Sequence, residues 1–198
     1  MGVYLNGIID HNMKTIKDYT KNIKDIKEAL KINAKSKVNT VTYNYHPKNK
    51  EELKELINKL LKERGYNADL NDIDISEITD MSELFDWRPF NGDISKWDVS
   101  NVKNMALMFT GCKFNGDISN WDVSNVENMN MMFKNSYFNK DISKWNVSKV
   151  KKMTWMFKDS DFNQNISNWD ISNVEDMDHM FEDCPLEKNP PKWYNEKN

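Results

Sequence analysis

Few side chains in this sequence are suited to chemistry, and their spacing limits what they can do. The three histidines, His11, His46 and His179, fall in three different segments. No H-x-x-x-H, C-x-x-C or nucleophile-elbow pattern accompanies them, so the sequence assembles neither a metal site nor an acid–base pair. The six glycines are too scarce for a phosphate loop, and "NGD" at Asn91 and Asn115 is turn chemistry. The expectation is a protein that is not an enzyme and takes no metal or cofactor.

Repetition offers more. Aspartates recur as Asp74, Asp98, Asp122 and Asp170, with Asn146 in the same register, and two residues after each comes a serine: Ser76, Ser100, Ser124, Ser148 or Ser172. A third file, Asp72, Lys96, Asn120, Lys144 and Asn168, varies in charge. Aspartates at strand spacing repel one another and need backbone donors, cations or a basic partner to offset them. They could hold local Asx or serine hydrogen bonds, or form an acidic strip for a basic protein surface or a weak calcium ladder. Absence of a G-G-x-G-x-D pattern argues against specific calcium binding.

These files exist because the chain repeats every 24 residues. "FNGDISKWDVSNVKNMALMF" begins at Phe90, "FNGDISNWDVSNVENMNMMF" at Phe114, "FNKDISKWNVSKVKKMTWMF" at Phe138 and "FNQNISNWDISNVEDMDHMF" at Phe162. A worn copy, "YNADLNDIDISEITDMSELF", begins at Tyr66, and Leu186 and Trp193 keep step at the end. Every phenylalanine sits on one of two rungs, and nine of the twelve methionines sit on two others. Methionine fills irregular gaps, so its inward phase predicts core rather than a copper strip. Trp97, Trp121, Trp145, Trp169 and Trp193 suit either a core rung or, if exposed, a stacking platform for sugars or bases; equivalence to an inward leucine position favours core. Cys112 and Cys184 share one repeat position three copies apart, which is roughly 14 Å if coils stack like parallel strands. A disulfide spans at most about 7 Å between Cα atoms, so both read as small core residues equivalent to Ser136 and Ser160.

A unit that repeats at this period cannot bury its apolar face alone and must stack on its neighbours. The spacing Ile94, Trp97, Val99, Val102, Met105, Met108 looks like a leucine-rich pattern. "KWDVS" alternates as a short strand, "NVKNMALMF" suits a short helix or helical turn, and "FNGD" turns the chain, with Asn91 or Gly92 able to take a positive φ. The expected fold class is therefore an α/β repeat, a leucine-rich-repeat-like solenoid with a parallel sheet and an N-terminal helical cap. Residues 1–35 read as an amphipathic helical segment, 36–64 as a strand–helix cap, 65–184 as five repeats and 185–198 as a C-terminal cap. In the front cap Asn49 and Glu52 form a helix start, Gly65 a stop, and "VTYNYHP" can pair with the edge at Ile73 to Ile75. At the far end Pro185, Pro190 and Pro191 are expected to close the array.

The repeat F-N-x-D-I-S-x-W-D-V-S-x-V-x-x-M-x-x-M-F resembles that of the BspA-like leucine-rich-repeat surface proteins, in its mycoplasma-lipoprotein form, over about residues 65–184. The resemblance implies a right-handed, curved solenoid that displays binding surface, on bacterial surface proteins and in related viral or phage-encoded ones. Neither a secretory signal nor a lipidation cysteine opens the sequence, which implies a cytoplasmic or virally encoded protein as written, or a cell-surface one if a leader has been removed.

Composition narrows the partners. No stretch approaches the roughly 20 apolar residues that cross a bilayer. The net charge of -3 hides an asymmetry: residues 1–64 carry 14 Lys+Arg against 8 Asp+Glu, and residues 65–198 carry 14 against 23. Acidic repeats do not attract phosphate backbones, which argues against nucleic acid. The expected function is a non-enzymatic module that binds a protein through the concave face bearing the Asp, Ser and Lys/Asn files. The alternative is a scaffold that forms homo-oligomers through residues 13–33, where Ile16, Tyr19, Ile23, Ile26 and Leu30 make an apolar seam.

Overall fold

The chain divides into two compact units, Met1–Val41 and Thr42–Asn198. A computed structural model describes Lys21 and residues 42–197. The seam expected over residues 13–33, with the oligomer it implies, lies outside the described residues apart from Lys21.

Helix α1, Lys50–Arg64, starts where the sequence places it. Asn49 caps it by accepting the Glu52 N–H at 2.9 Å, and Glu52 reaches back to the Lys48 N–H. Leu53, Ile57, Leu60 and Leu61 are buried on one face, and Gly65, at φ 81°, ends the helix by donating to the Leu61 carbonyl. Before α1, Tyr45 forms a parallel bridge with Ile73, as "VTYNYHP" suggested.

From Gly65 onward the chain winds in coils of 24 residues, but not as expected. There is no strand among the described residues, only six isolated parallel bridges, and no helix between α1 and the tail. The parallel sheet of a leucine-rich-repeat-like α/β solenoid is therefore overturned, as are the strand over "KWDVS" and the helix over "NVKNMALMF". Each coil is a succession of turns: Trp97 N–H donates to Ile94, Val102 to Val99, Met108 to Met105 and Cys112 to Phe109. Apolar residues three apart, which read as leucine-rich or helical spacing, mark the two ends of i to i+3 turns. Left-handed residues recur through them, Leu107 at φ 60° and Gly111 at φ 61°, and no extended strand or α-helix accommodates such residues.

The ladders pack as their phase implied. Phe85, Phe109, Phe133, Phe157 and Phe181 form one stack, with centroids 5.6 to 6.0 Å apart. Phe90, Phe114, Phe138 and Phe162 form a second, 4.0 to 4.4 Å from the first within each coil. All nine rings are fully buried, each contributing roughly 1.5–3 kcal/mol of hydrophobic stabilisation. The nine ladder methionines are buried beside them. Trp97, Trp121, Trp145 and Trp169 are also core, so a stacking platform is excluded for these four. Each indole N–H donates to a backbone carbonyl 27 residues earlier, as Trp121 does to Ile94 and Trp145 to Ile118.

Cys112 and Cys184 are free and buried. Burial pushes the Cys112 thiol up to about 11, so it is not a reactive thiolate. At the equivalent stations the Ser136 and Ser160 hydroxyls donate to Phe133 and Phe157. Gly92 does not take a positive φ. It is glycine because a Cβ there would stand 2.1 Å from the Ala68 carbonyl oxygen.

The chain finishes with a 3-10 turn, Pro185–Glu187, and helix α2, Lys192–Lys197. Trp193 keeps the register by donating to Ile166, and Tyr194 packs edge-on against Phe181.

Candidate interaction surface

The Asp file is set by the same turns that build the coil. In every copy the side-chain oxygen accepts the serine N–H two residues on: Asp74 from Ser76, Asp98 from Ser100, Asp122 from Ser124, Asn146 from Ser148 and Asp170 from Ser172, all at 3.1 to 3.2 Å. These are Asx turns, the first of the two roles open to the residues. The Ser124 contact holds the Asp122 carboxyl below the usual carboxylate range. Asp98, Asp122, Asn146 and Asp170 are exposed, so the turn fixes their direction without hiding them.

Neighbouring coils are joined here by side chains. Asn101 Nδ2 donates to the Ser76 carbonyl, Asn125 to Ser100 and Asn173 to Ser148. A file of Asn side chains does the same nearby, with Asn91 accepting the Asn115 N–H and Asn115 the Asn139 N–H. Lys96, Asn120 and Lys144 are exposed two residues before the Asp file. Lys144 also lines a shallow cleft of about 320 Å³ with Lys140, Asp117 and Asp141.

The first member of the file differs. His46 Nδ1 lies 3.1 Å from Asp74, and Arg64 grips both oxygens of Asp72 at 2.9 and 3.0 Å. That guanidinium holds Asp72 below the usual carboxylate range, while Ser76 and then His46 lower Asp74. The strap that carries His46 is fixed by backbone bonds, Asn44 N–H to Asp72 and Asp74 N–H to Tyr45, both 2.8 Å.

A second stretch of each coil carries geometry that the sequence did not reveal. There Met105, Leu107, Phe109 and Gly111 donate N–H groups to the next coil, at Asn128, Asn130, Met132 and Lys134. The same four bonds recur at each coil-to-coil junction from Met81 to Glu182. Two left-handed columns run along this ladder. One reads Trp87, Gly111, Asn135, Asp159, Asp183; the other reads Glu83, Leu107, Met131, Trp155, His179. Gly, Asn and Asp in the first column were a legible signal for positive φ. The second gave none, since its residue types are unsuited to that conformation. It sets Leu107, Met131 and Trp155 half-buried in mid-stack, with Lys134 Nζ 4.6 Å from the Trp155 ring centre.

Among the described residues no cluster of three His, Cys, Asp or Glu side chains is placed to hold a metal ion, and no helix is long and apolar enough to cross a membrane.

The repeat register relates the chain to known sequences. A family model described as "Mycoplasma protein of unknown function, DUF285" matches residues 9–109, 51–137 and 134–197. The chain belongs to this family. The DUF285 matches at 9–109 and 51–137 overlap, as they can where one repeat is read in more than one register. The mycoplasma kinship read from the F-N-x-D-I-S repeat thus holds at the level of DUF285, whose description assigns no activity. No curated protein matches the chain, and no solved structure does.

Proposed function

We propose that this chain is a non-enzymatic protein-binding module of the mycoplasma surface type, BspA-like in kind, that presents Asp98 and Asp122 to a basic segment of a partner protein. What supports the reading is the strap at the front of the stack. The equivalent aspartate, Asp74, is engaged by His46 on a segment that lies along the coil through backbone bonds, with Arg64 on the adjacent Asp72. The following carboxylates stand in the same turn, in the same direction and exposed. Their regular spacing suits a partner that reads several coils at once, each exposed ion pair adding a few tenths of a kcal/mol to about 1.

The test uses a fluorescein-labelled decapeptide of alternating lysine and serine, titrated into the full chain at low salt. Asp98→Asn with Asp122→Asn removes two charges and leaves the turns intact, because Asn146 already makes that turn. Affinity for the peptide should fall about five-fold and lose part of its salt dependence. Unchanged affinity, with an unchanged circular dichroism spectrum, overturns the reading.

A further inference from the structure

We propose a second docking site on the last coil, whose open ladder edge takes an extended, lysine-bearing segment of a partner protein. It uses a different stretch of the coil from the Asp file and does not depend on that reading.

In each inner coil the four ladder N–H groups meet carbonyls of the next. The equivalent donors of the last coil are Met177, His179, Phe181 and Asp183. Asp183 N–H turns to Glu187 Oε2 at 3.2 Å, and the other three meet no acceptor among the described residues. The proline-bearing tail therefore closes the array only in part: Trp193 and Tyr194 cover the aromatic rungs, and among the described residues no coil follows the ladder. A cleft of about 520 Å³ opens at this edge, lined by Asp178, His179, Phe181, Glu182, Glu187 and Tyr194. An unpaired row of backbone donors is a template for another chain, whose carbonyls at alternate residues supply affinity while its side chains supply selectivity.

Charge names the occupant. Residues 170–187 hold seven carboxylates and neither Lys nor Arg. The coil before carries Lys149, Lys151, Lys152 and Lys158, and neighbouring coils pair across their junctions, Lys151 with Glu127 at 2.9 Å and Lys158 with Glu182. One column reads Lys103, Glu127, Lys151, Glu175. A lysine at the next station would continue the alternation. The molecule already uses this solution at its front, where Lys48, Lys50 and Lys54 of the covering segment face Glu77, Asp80 and Glu83 of the equally acidic first coil.

The probe is the synthetic peptide KVKKMTWMFKD, the sequence of residues 149–159, whose carbonyls at Lys152, Thr154, Met156 and Lys158 accept ladder bonds within the stack. It is titrated into the full chain by anisotropy, and amide exchange is read by NMR. Exchange at Met177, His179 and Phe181 should slow at least ten-fold on binding. Glu175→Gln with Asp176→Asn should weaken the slowing at these three amides about five-fold, while Asp98→Asn with Asp122→Asn leaves that slowing unchanged. The acidic peptide NVEDMDHMFED, residues 173–183, should not bind. No slowing, or slowing indifferent to the Glu175/Asp176 change, overturns the proposal. Amides already slow in a peptide-free monomer would show that the chain covers its own edge, and slow amides in a peptide-free dimer would make a second copy the occupant; either result also overturns it.

Discussion

Each coil has two sides, and they hold the stack by different means. On the ladder side, backbone groups carry the junctions, four N–H to carbonyl bonds apiece. On the Asp side, side chains carry much of them: the Asn101 and Asn125 amides, the Asn91 and Asn115 files, and the indole N–H groups. Backbone bonds are indifferent to residue type, so Leu107, Met131, Trp155 and His179 can occupy one station. Side-chain bonds are not, and "FNGDISKWDVSN" recurs with few changes while the following dozen residues drift. What repeats faithfully in this chain is whatever makes its own junctions.

That contrast can be broken most severely through an indole. Trp145→Ala removes a buried ring and its bond to Ile118, and should cost about 3–5 kcal/mol by urea denaturation. Trp155→Ala, on the ladder side, should cost less, about 1.5 kcal/mol, because that ring is only half-buried, its indole N–H makes no bond within the described residues, and its backbone bond survives. Comparable losses at the two sites would erase the distinction.

A smaller effect belongs to Asn125→Ala, which deletes the link to Ser100 and the acceptor for Lys149 at about 1 kcal/mol. Its counterpart has the opposite sign. Met131→Gly leaves the ladder bond in place and relieves a left-handed residue, and should stabilise by about 0.5–1 kcal/mol, read as a rise in melting temperature.

The mildest test is acid. Asp72 and Asp74 have carboxyls depressed in the folded state, so their contribution is complete above about pH 4 and is lost as pH falls through the lower folded values. Amides of Asn44 and Asp74 should therefore lose protection relative to intrinsic rates below pH 4, while those of Met105 and Phe109 keep theirs. Parallel changes at all four would show that the strap is not held by side-chain charge.

Part of this was legible from the residues. Phe, Met and Trp at constant spacing allow only a shared interior, and Asn49 with Gly65 marks α1 through capping chemistry that acts locally. The coil's geometry was not legible, since apolar residues three apart satisfy a helix, a leucine-rich arc and a run of β-turns equally. Positive φ at Leu107 or Trp155 is imposed by the junctions and runs against the preference of the residue itself. The Asp file was found, and its Asx turns belong to the local role considered for it. The last coil's open edge was missed because the prolines that follow suggested full closure, whereas they accompany cover over the rings alone.

The indole bonds all point one way along the chain. Trp121 reaches back to Ile94, Trp145 to Ile118 and Trp169 to Ile142, so the receiving oxygen belongs to the winding completed before. During synthesis every new winding emerges with its anchor point already made. Growth of the polypeptide and growth of the folded stack then run in the same direction, one loop at a time.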